Sequence, residues 1–186
     1  MSEILDNKEG KINIFYKKYR TYLIVITSVV LILLVSLFIL DDLKEKRNIQ
    51  LSKDFYKAKI YLQNDMKDES KELLEKIIEK ENIFYSPLSL NLYIENNFDK
   101  DKNITITYFK KIIEMKHDDL SIKDLYKIKL AAYISKNKKK ESEILDLLKP
   151  IINSNSLYRE IAIKFMEQYY LGNGQIEKYK EFSKIR

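Results

Sequence analysis

The sequence predicts an all-α protein in which one N-terminal transmembrane helix continues into a domain of repeated helix pairs. Three observations lead to this fold class. Only three glycines and two prolines occur among 186 residues, which leaves little of the turn chemistry that a many-stranded β fold needs. One uncharged apolar segment is long enough to cross a bilayer, and one apolar pattern recurs three times after it.

The apolar segment, residues 23–40, predicts the transmembrane helix. It reads LIVITSVVLILLVSLFIL, and at 1.5 Å per residue it spans roughly 27 Å, close to the hydrocarbon thickness of a bilayer. Tyr19 and Tyr22 precede it at the level of an interfacial aromatic belt, and two aspartates at 41–42 return the chain to water. A cleaved signal peptide is the alternative, but the run is longer than the usual h-region and no small-residue cleavage site follows it.

The flanking charges predict the orientation of this helix. Five basic residues precede the segment and five follow it at similar distances, so the count alone is tied. The cluster Lys17, Lys18 and Arg20 directly adjoins the N-terminal side, whereas aspartates come first on the other side. We therefore expect residues 1–22 to form a cytoplasmic tail and residues 41–186 to form a domain across the membrane.

One apolar pattern recurs along residues 41–186 and predicts the repeat unit. Its copies, LLxxII, YFxxII and LLxxII, begin at Leu73, Tyr108 and Leu147, which are 35 and 39 residues apart. Each copy places four apolar side chains on one stripe of a helix, and each follows a helical segment with a tyrosine near its end. A fourth unit follows Ser156. Each unit is therefore predicted to be a pair of helices, named A and B.

Turn and cap residues predict where these helices begin and end. Ser86 has the position of an N-cap and Pro87 that of the first helical residue of the second A helix. Asp118, Asp119 and Ser121 supply caps ahead of Leu125 in the third A helix. Pro150 predicts that the third B helix kinks or that its second half is displaced. The breaks between A and B helices are predicted at residues 64–65, 96–103 and 172–174.

The last of these breaks carries a resemblance to a known family. Residues 169–179 read YYLGNGQIEKY and resemble the turn between the two helices of a tetratricopeptide repeat, although the earlier units lack the glycine. With the short charged tail, the single span and the four units, the chain is similar to the ancillary subunit of the bacterial SecYEG translocon. The resemblance implies a right-handed superhelix of about four helix pairs. It also implies an inner-membrane protein with a periplasmic domain, whose partners are the Sec translocon, a periplasmic chaperone or client chains.

The scarcity of reactive residue types excludes several kinds of site. Cysteine is absent, so the chain has no disulfide, no thiolate nucleophile and no cysteine metal site. His117 is the one histidine, which leaves no histidine pair for a metal. The three glycines fit no phosphate-binding loop, and Ile104 replaces the glycine that a calcium loop over 99–103 requires. We expect no enzyme activity, cofactor, metal or small-molecule substrate.

The charges of the chain indicate solvated helix faces. Thirty-four basic and 28 acidic residues give a net charge of +6, and the two signs alternate along the sequence. A nucleic-acid surface needs a clustered basic footprint, so we expect no nucleic-acid partner. The densest basic patch, residues 136–140, is either a solvated turn or a contact with lipid headgroups or an acidic partner.

Four tyrosines near the ends of the A helices, Tyr61, Tyr93, Tyr133 and Tyr169, are the candidate protein-binding residues. A helices line the concave surface of such repeats, and tyrosine rings give a large contact area at low entropic cost. Packing inside the core is the alternative for each ring. The leading hypothesis is a non-enzymatic adaptor that assists protein export or periplasmic folding beside the Sec translocon. A scaffold for a cell-envelope or division complex without client binding, and an accessory subunit of an enzyme, are the alternatives.

Overall fold

A computed structural model describes the backbone of residues 2–116, 120–135 and 140–185. Side chains are described from residue 18 onward in these ranges, except at Leu23 and Leu120. Every regular element in these ranges is an α-helix, which confirms the all-α prediction. The helices are α1 (Ser2–Gln63), α2 (Lys67–Glu79), α3 (Tyr85–Glu95), α4 (Lys102–Glu114), α5 (Leu120–Ile134), α6 (Glu141–Ile152), α7 (Arg159–Gly172) and α8 (Ile176–Ser183).

The chain divides into two compact units, Met1–Gln50 and Leu51–Arg186. The first unit consists of helix α1 as far as Gln50, and it includes the apolar segment, whose mean hydropathy is 3.2. The described side chains of this segment are exposed on every face of the helix, with Phe38 at 79 %. The helix is long and apolar enough to cross a membrane. It also continues past Leu40 without a break, as the sequence predicts.

In the second unit, helices that are adjacent in the sequence pack against each other. The hydroxyl of Ser70 in α2 donates to the carbonyl of Ala58 in α1 at 3.0 Å, and both residues are fully buried. Contacts then follow in order from α2 with α3 to α7 with α8. This nearest-neighbour packing is typical of helical-repeat proteins, in which each unit contacts only the units beside it.

The A helices α3, α5 and α7 lie beside one another and run in the same direction. Tyr126, in the middle of α5, contacts the start of α3, and Tyr133, near the end of α5, contacts the turn that follows α3. The turn before α7 likewise contacts the first half of α5. The hydrogen bonds that join them are Tyr126 Oη to the Pro87 carbonyl (2.9 Å), Tyr133 Oη to Asp99 Oδ2 (2.8 Å) and Ser156 Oγ to Asp124 Oδ2 (2.7 Å).

The three repeated stripes form the core of the second unit. All four positions of the stripe in α4 are buried, and in α2 and α6 the first position is half-buried while the other three are buried. The helical spacing of the pattern therefore identified the buried face correctly, because residues at i, i+1, i+4 and i+5 share one side of a helix. The buried members are Leu74, Ile77, Ile78, Tyr108, Phe109, Ile112, Ile113, Leu148, Ile151 and Ile152.

The predicted start of the second A helix is wrong, since α3 begins at Tyr85, one residue before Ser86. The side chain of Asn82 makes the turn into this helix, where its Oδ1 accepts from the amides of Phe84 (3.0 Å) and Tyr85 (2.9 Å). Ser86 is buried instead. Its hydroxyl donates to the Ile77 carbonyl (2.9 Å) and accepts from the Asn82 amide (2.8 Å), so it joins α2 to α3 rather than capping a helix.

The other predicted boundaries have mixed outcomes. Asp101 is the N-cap of α4, because its Oδ1 accepts from the amides of Asn103 (2.9 Å) and Ile104 (3.4 Å). In the sequence this aspartate belongs to the stretch 99–103, which resembles a calcium loop but lacks the required glycine. Pro150 lies in the last turn of α6, which ends two residues later. Of the caps expected before the third A helix, Asp118 and Asp119 lie outside the described residues, as does most of the basic patch. Ser121 lies inside α5, which begins at Leu120, so its prediction as a cap ahead of the helix is wrong.

Three turns from an A helix to a B helix share one backbone geometry. Each contains a residue with positive φ: Asp65 (58°), Asn97 (57°) and Gly174 (73°). In each turn the next amide donates to the carbonyl five residues before it, the Schellman arrangement that satisfies the last carbonyls of a helix. Aspartate and asparagine tolerate this left-handed conformation better than other non-glycine residues do. The accepting carbonyls belong to Tyr61 (2.9 Å), Tyr93 (3.1 Å) and Tyr170 (2.9 Å).

These turns show why the first two units need no glycine. Gly174, in the segment that resembles a tetratricopeptide turn, has its structural counterparts at Asp65 and Asn97. The helix pairs therefore share their turn geometry although they do not share the residue type. The right-handed superhelix that the resemblance implies stays a prediction.

Replacing Ile112 by Ala should lower the free energy of unfolding by about 2 to 5 kcal/mol, because the side chain is 0 % exposed in the α4 stripe. Ile104→Ala is the matched control in the same helix, since Ile104 is 43 % exposed and should change stability by less than about 0.5 kcal/mol. Thermal and urea unfolding of the two variants measure the difference. Equal stabilities would contradict the assignment of the stripe to the core.

Gly172→Ala and Gly174→Ala should change stability in opposite directions. A Cβ at either glycine meets no atom within 4 Å, so backbone conformation alone decides the effect. Gly174 has φ +73°, where alanine is strained by about 1 to 2 kcal/mol. Gly172 ends helix α7, where alanine gains up to about 1 kcal/mol of helix propensity. Urea unfolding tests the pair, and two changes of the same sign would contradict the assigned turn.

Candidate protein-binding groove

Burial separates the four candidate tyrosines into two groups. Tyr93 is 2 % exposed and Tyr169 is 8 % exposed, so both rings lie in the core. Tyr61 and Tyr133 are half-buried, and each presents part of its ring at the surface. Burial favours the packing alternative for Tyr93 and Tyr169. The binding role of the set stays a prediction, and Tyr61 and Tyr133 are the members whose rings a partner reaches.

The turn hydrogen bonds decide which tyrosines are equivalent. In the first two units the tyrosine lies four residues before the residue with positive φ, and in the last unit that place belongs to Tyr170. The sequence-based choice of Tyr169 is therefore shifted by one residue. The sequence signal was available, since the spacing from Tyr170 to Gly174 repeats the spacing from Tyr93 to Asn97. Tyr133 has the same spacing to an asparagine that lies outside the described residues.

Phenol–carboxylate hydrogen bonds connect each later unit to the unit before it. In the second, third and fourth units, a tyrosine hydroxyl on the A helix donates to an acid that precedes this helix in the chain. The polar tip of each buried or half-buried ring is thereby satisfied, which orients one unit against the next. The pairs are Tyr93 with Glu75 (3.1 Å), Tyr133 with Asp99 (2.8 Å) and Tyr170 with Glu141 (3.4 Å).

Burial changes the pKa values of these phenols. It raises the pKa of Tyr133 and of Tyr170 to about 12, and in each case a neighbouring carboxylate adds to the effect. It likewise raises the pKa of Tyr93 well above its ordinary value, with Glu75 as the second cause. All three phenols are therefore neutral hydrogen-bond donors at physiological pH.

An open groove of about 400 Å³ lies between α3 and α5, and Tyr133 lines it. Its apolar wall consists of Ile94, Phe109, Ala132 and the ring of Tyr133, which packs against Phe109 at a centroid distance of 5.6 Å. Ala132 is exposed, so the wall is accessible from solvent. None of the other three candidate tyrosines is among the residues that line this groove. Sequence spacing placed Tyr133 on an A helix but did not identify the groove or its other residues.

Polar groups complete the lining of the groove. The ammonium of Lys129 donates to Asn91 Oδ1 at 2.9 Å and lies 4.9 Å from the centroid of the Tyr126 ring. Burial lowers the pKa of Lys129, an effect that the nearby Glu95 opposes. An apolar wall beside fixed amide, ammonium and carboxylate groups suits a polypeptide segment, which carries apolar side chains on a hydrogen-bonding backbone.

A larger cleft of about 630 Å³ lies beside α2 and is lined largely by charged side chains. Three of its acids already have partners: Glu72 pairs with Lys76, Glu79 pairs with Lys111 outside the cleft, and Glu75 accepts from a tyrosine. Among the described residues, no group of three or more histidine, aspartate or glutamate side chains is placed to hold a metal ion. The cleft is thus a surface of paired charges, and the groove between α3 and α5 has the more suitable chemistry for a partner.

Tyr126→Phe should lower the free energy of unfolding at pH 8. It should also make the decrease of that free energy at high pH smaller. Tyr126 is 3 % exposed, and without its hydroxyl the Pro87 carbonyl loses a 2.9 Å hydrogen bond, at a cost of about 1 to 3 kcal/mol. Burial raises the pKa of Tyr126 from 10 to about 12, so its stabilising contribution is complete below pH 10 and is lost as the pH rises towards 12.

Urea unfolding at pH 8 and pH 11 measures both effects. The variant should start less stable and lose less stability over this interval than the original chain. Tyr56→Phe, at a position that is 62 % exposed, is the control and should leave stability at pH 8 unchanged. An identical pH dependence in the Tyr126 variant and the original chain would contradict the role assigned to this phenol.

The chain was also compared with known proteins. No family model, no curated protein and no solved structure matches it. A function therefore has to be inferred from the residues and the geometry of the chain itself.

Proposed function

We propose that this protein is a non-enzymatic, membrane-anchored adaptor that binds extended polypeptide in the groove between α3 and α5. In this proposal it assists protein export or periplasmic folding beside the Sec translocon. The observation that carries the proposal is the groove itself, where an accessible apolar wall meets polar groups that hydrogen bonds hold in place. Its partners are proteins, and the chemistry requires no cofactor.

The anchor in this proposal is the apolar part of α1, residues 23–40, which crosses the inner membrane once. Its described side chains are exposed on all faces. Exposing apolar surface to water costs about 25 cal/mol of free energy per Å². A bilayer removes that exposure. The basic cluster at 17–20 supports a cytoplasmic N-terminus and a periplasmic second unit.

The groove suits a chain in extended conformation. Ile94 and Phe109 offer apolar contact, and Tyr133 adds an aromatic surface that loses little side-chain entropy on binding. Asn91 and Lys129, already oriented by their mutual hydrogen bond, face the backbone of the bound segment. Modest affinity is sufficient, because a membrane tether raises the effective concentration of the groove near other proteins of the same membrane.

The Sec translocon and the superhelix enter the proposal through the sequence resemblance. Parallel A helices, packing between neighbours in the chain and the shared turn geometry support a superhelix of the tetratricopeptide type. The assignment of a right-handed superhelix and of the export channel as partner remains part of the proposal.

The terminal helix offers little support for the scaffold alternative. A scaffold that assembles through its end needs an apolar patch there, yet the exposed side chains of α8 are mostly charged. Its apolar residues Tyr179 and Phe182 pack against the core, and Ile176 is 45 % exposed. The exposed charged side chains of α8 are Glu177, Lys178, Lys180 and Glu181.

Photo-crosslinking in the native membrane tests the adaptor. A photoreactive residue at Ala132, exposed at the groove, should give adducts with export-channel subunits, chaperones or newly exported chains. The matched control is the same probe at Lys110, which is exposed on α4 and lines none of the described cavities. It should give few adducts, and mass spectrometry identifies the products.

Equal labelling from both positions would contradict binding in the groove. Adducts confined to one fixed assembly without export components would favour the scaffold. Ala132→Arg, which fills the groove without disturbing a buried residue, should reduce the adducts of a second probe at Ile94 if the groove is the binding site.

A further inference from the structure

One edge of the second unit carries the turns that lead from B helices to A helices. The starts of α3, α5 and α7 and the ends of α2 and α8 meet there. The chain also enters the unit at this edge. Leu51, the first residue of the unit, lines the same cleft as Ile77 and Lys80, which lie near the end of α2. The hydrogen bonds that define the edge are Ser86 Oγ to the Ile77 carbonyl, Ser156 Oγ to Asp124, and Arg159 Nη2 to the Ile185 carbonyl (3.1 Å).

Large apolar side chains are exposed in two turns of this edge. Ile83 (51 %) and Phe84 (61 %) precede α3, and Leu157 precedes α7 at 87 %. Leu157 is therefore more exposed than any described side chain of the apolar segment, where Phe38 has the largest exposed fraction, 79 %. Ile161, one helical turn after Leu157, is 50 % exposed. Such side chains contribute little to the core of the unit, so packing within the unit does not account for them.

Basic side chains accompany these turns. Lys80, Lys116 and Lys184 follow the ends of three B helices, and Arg159 begins α7. Lysine and arginine extend apolar stems along a lipid surface and place their charges among the headgroups. Acidic residues such as Glu81 lie among them, so the apolar side chains rather than net charge provide the main attraction.

The opposite edge differs in composition. Its described turns have polar or glycine residues at their tips, at 64–65, 96–97 and 172–174. The most exposed large apolar side chains near these turns are Ile60 and Leu171, each at 52 %. The two edges therefore present different surfaces, with the bulkiest exposed apolar groups on the edge where the chain enters the unit.

We propose that the edge formed by residues 80–84 and 153–158 rests on the lipid surface of the membrane, with Phe84 and Leu157 inserted at headgroup level. This inference rests on the proposed anchoring of α1. Residues 40 and 51 are joined by eleven peptide units, which keep them within about 40 Å of each other. The tether is therefore short enough to let this edge reach the lipid surface. The contact fixes the direction in which the groove between α3 and α5 faces the bilayer.

Tryptophan fluorescence tests the contact in the full-length chain, which contains no tryptophan of its own. Phe84→Trp and Leu157→Trp are prepared singly and reconstituted in phosphatidylcholine and phosphatidylglycerol vesicles with lipids brominated near the headgroup. Both emissions should shift to shorter wavelength and be quenched by the brominated lipid. Leu171→Trp, on the opposite edge with comparable exposure to Phe84, is the control and should be neither shifted nor quenched.

Val30→Trp, inside the apolar segment, separates this inference from the anchor. If Val30→Trp is quenched by deeply brominated lipid while the tryptophans at 84 and 157 are not, the edge contact is overturned and the anchor stands. If Val30→Trp is not quenched, the anchor itself fails. A shift to shorter wavelength at 84 and 157 without quenching would mean that protein, such as a second copy of the chain, covers the edge, and this too would overturn the proposal.

Discussion

The second unit depends on the burial of one apolar stripe per helix by neighbouring helices. Leu74, Ile112 and Leu148 have no exposed surface, although each belongs to a helix of 12 or 13 residues. Isolated helices of this length are marginal in water, so these helices persist because adjacent helices remove their stripes from solvent. A single pair leaves part of its stripe exposed, which is why such units occur in series.

Packing of the stripes alone does not set the angle between units. The geometry of the turns and the tyrosine–carboxylate hydrogen bonds constrain that angle further. The positive-φ residue ends each of three A helices in the same way and sends the following B helix back along it. Hydrogen bonds from Tyr93, Tyr133 and Tyr170 to acids earlier in the chain then link successive units. The groove between α3 and α5 forms where two A helices are held side by side in this way.

The same apolar residue types serve a different purpose in α1. Leucine, isoleucine and valine surround the helix over residues 24–40, whereas in the second unit they occupy one stripe. Neighbouring helices suffice to bury a stripe. A helix that is apolar all round needs an apolar solvent, which accounts for the proposal of a bilayer around α1 and for the division of the molecule into two units.

The sequence by itself determined the all-α class, the apolar helix, the repeated stripes and the existence of helix pairs. These follow from local composition and periodicity, which involve residues a few positions apart. Only the tertiary structure decided that Ser86 joins two helices, and that Tyr93 is buried while Tyr133 lines a groove. Those properties depend on side chains from separate helices meeting in space, and helical periodicity gives the face of a residue but not the neighbour that covers it.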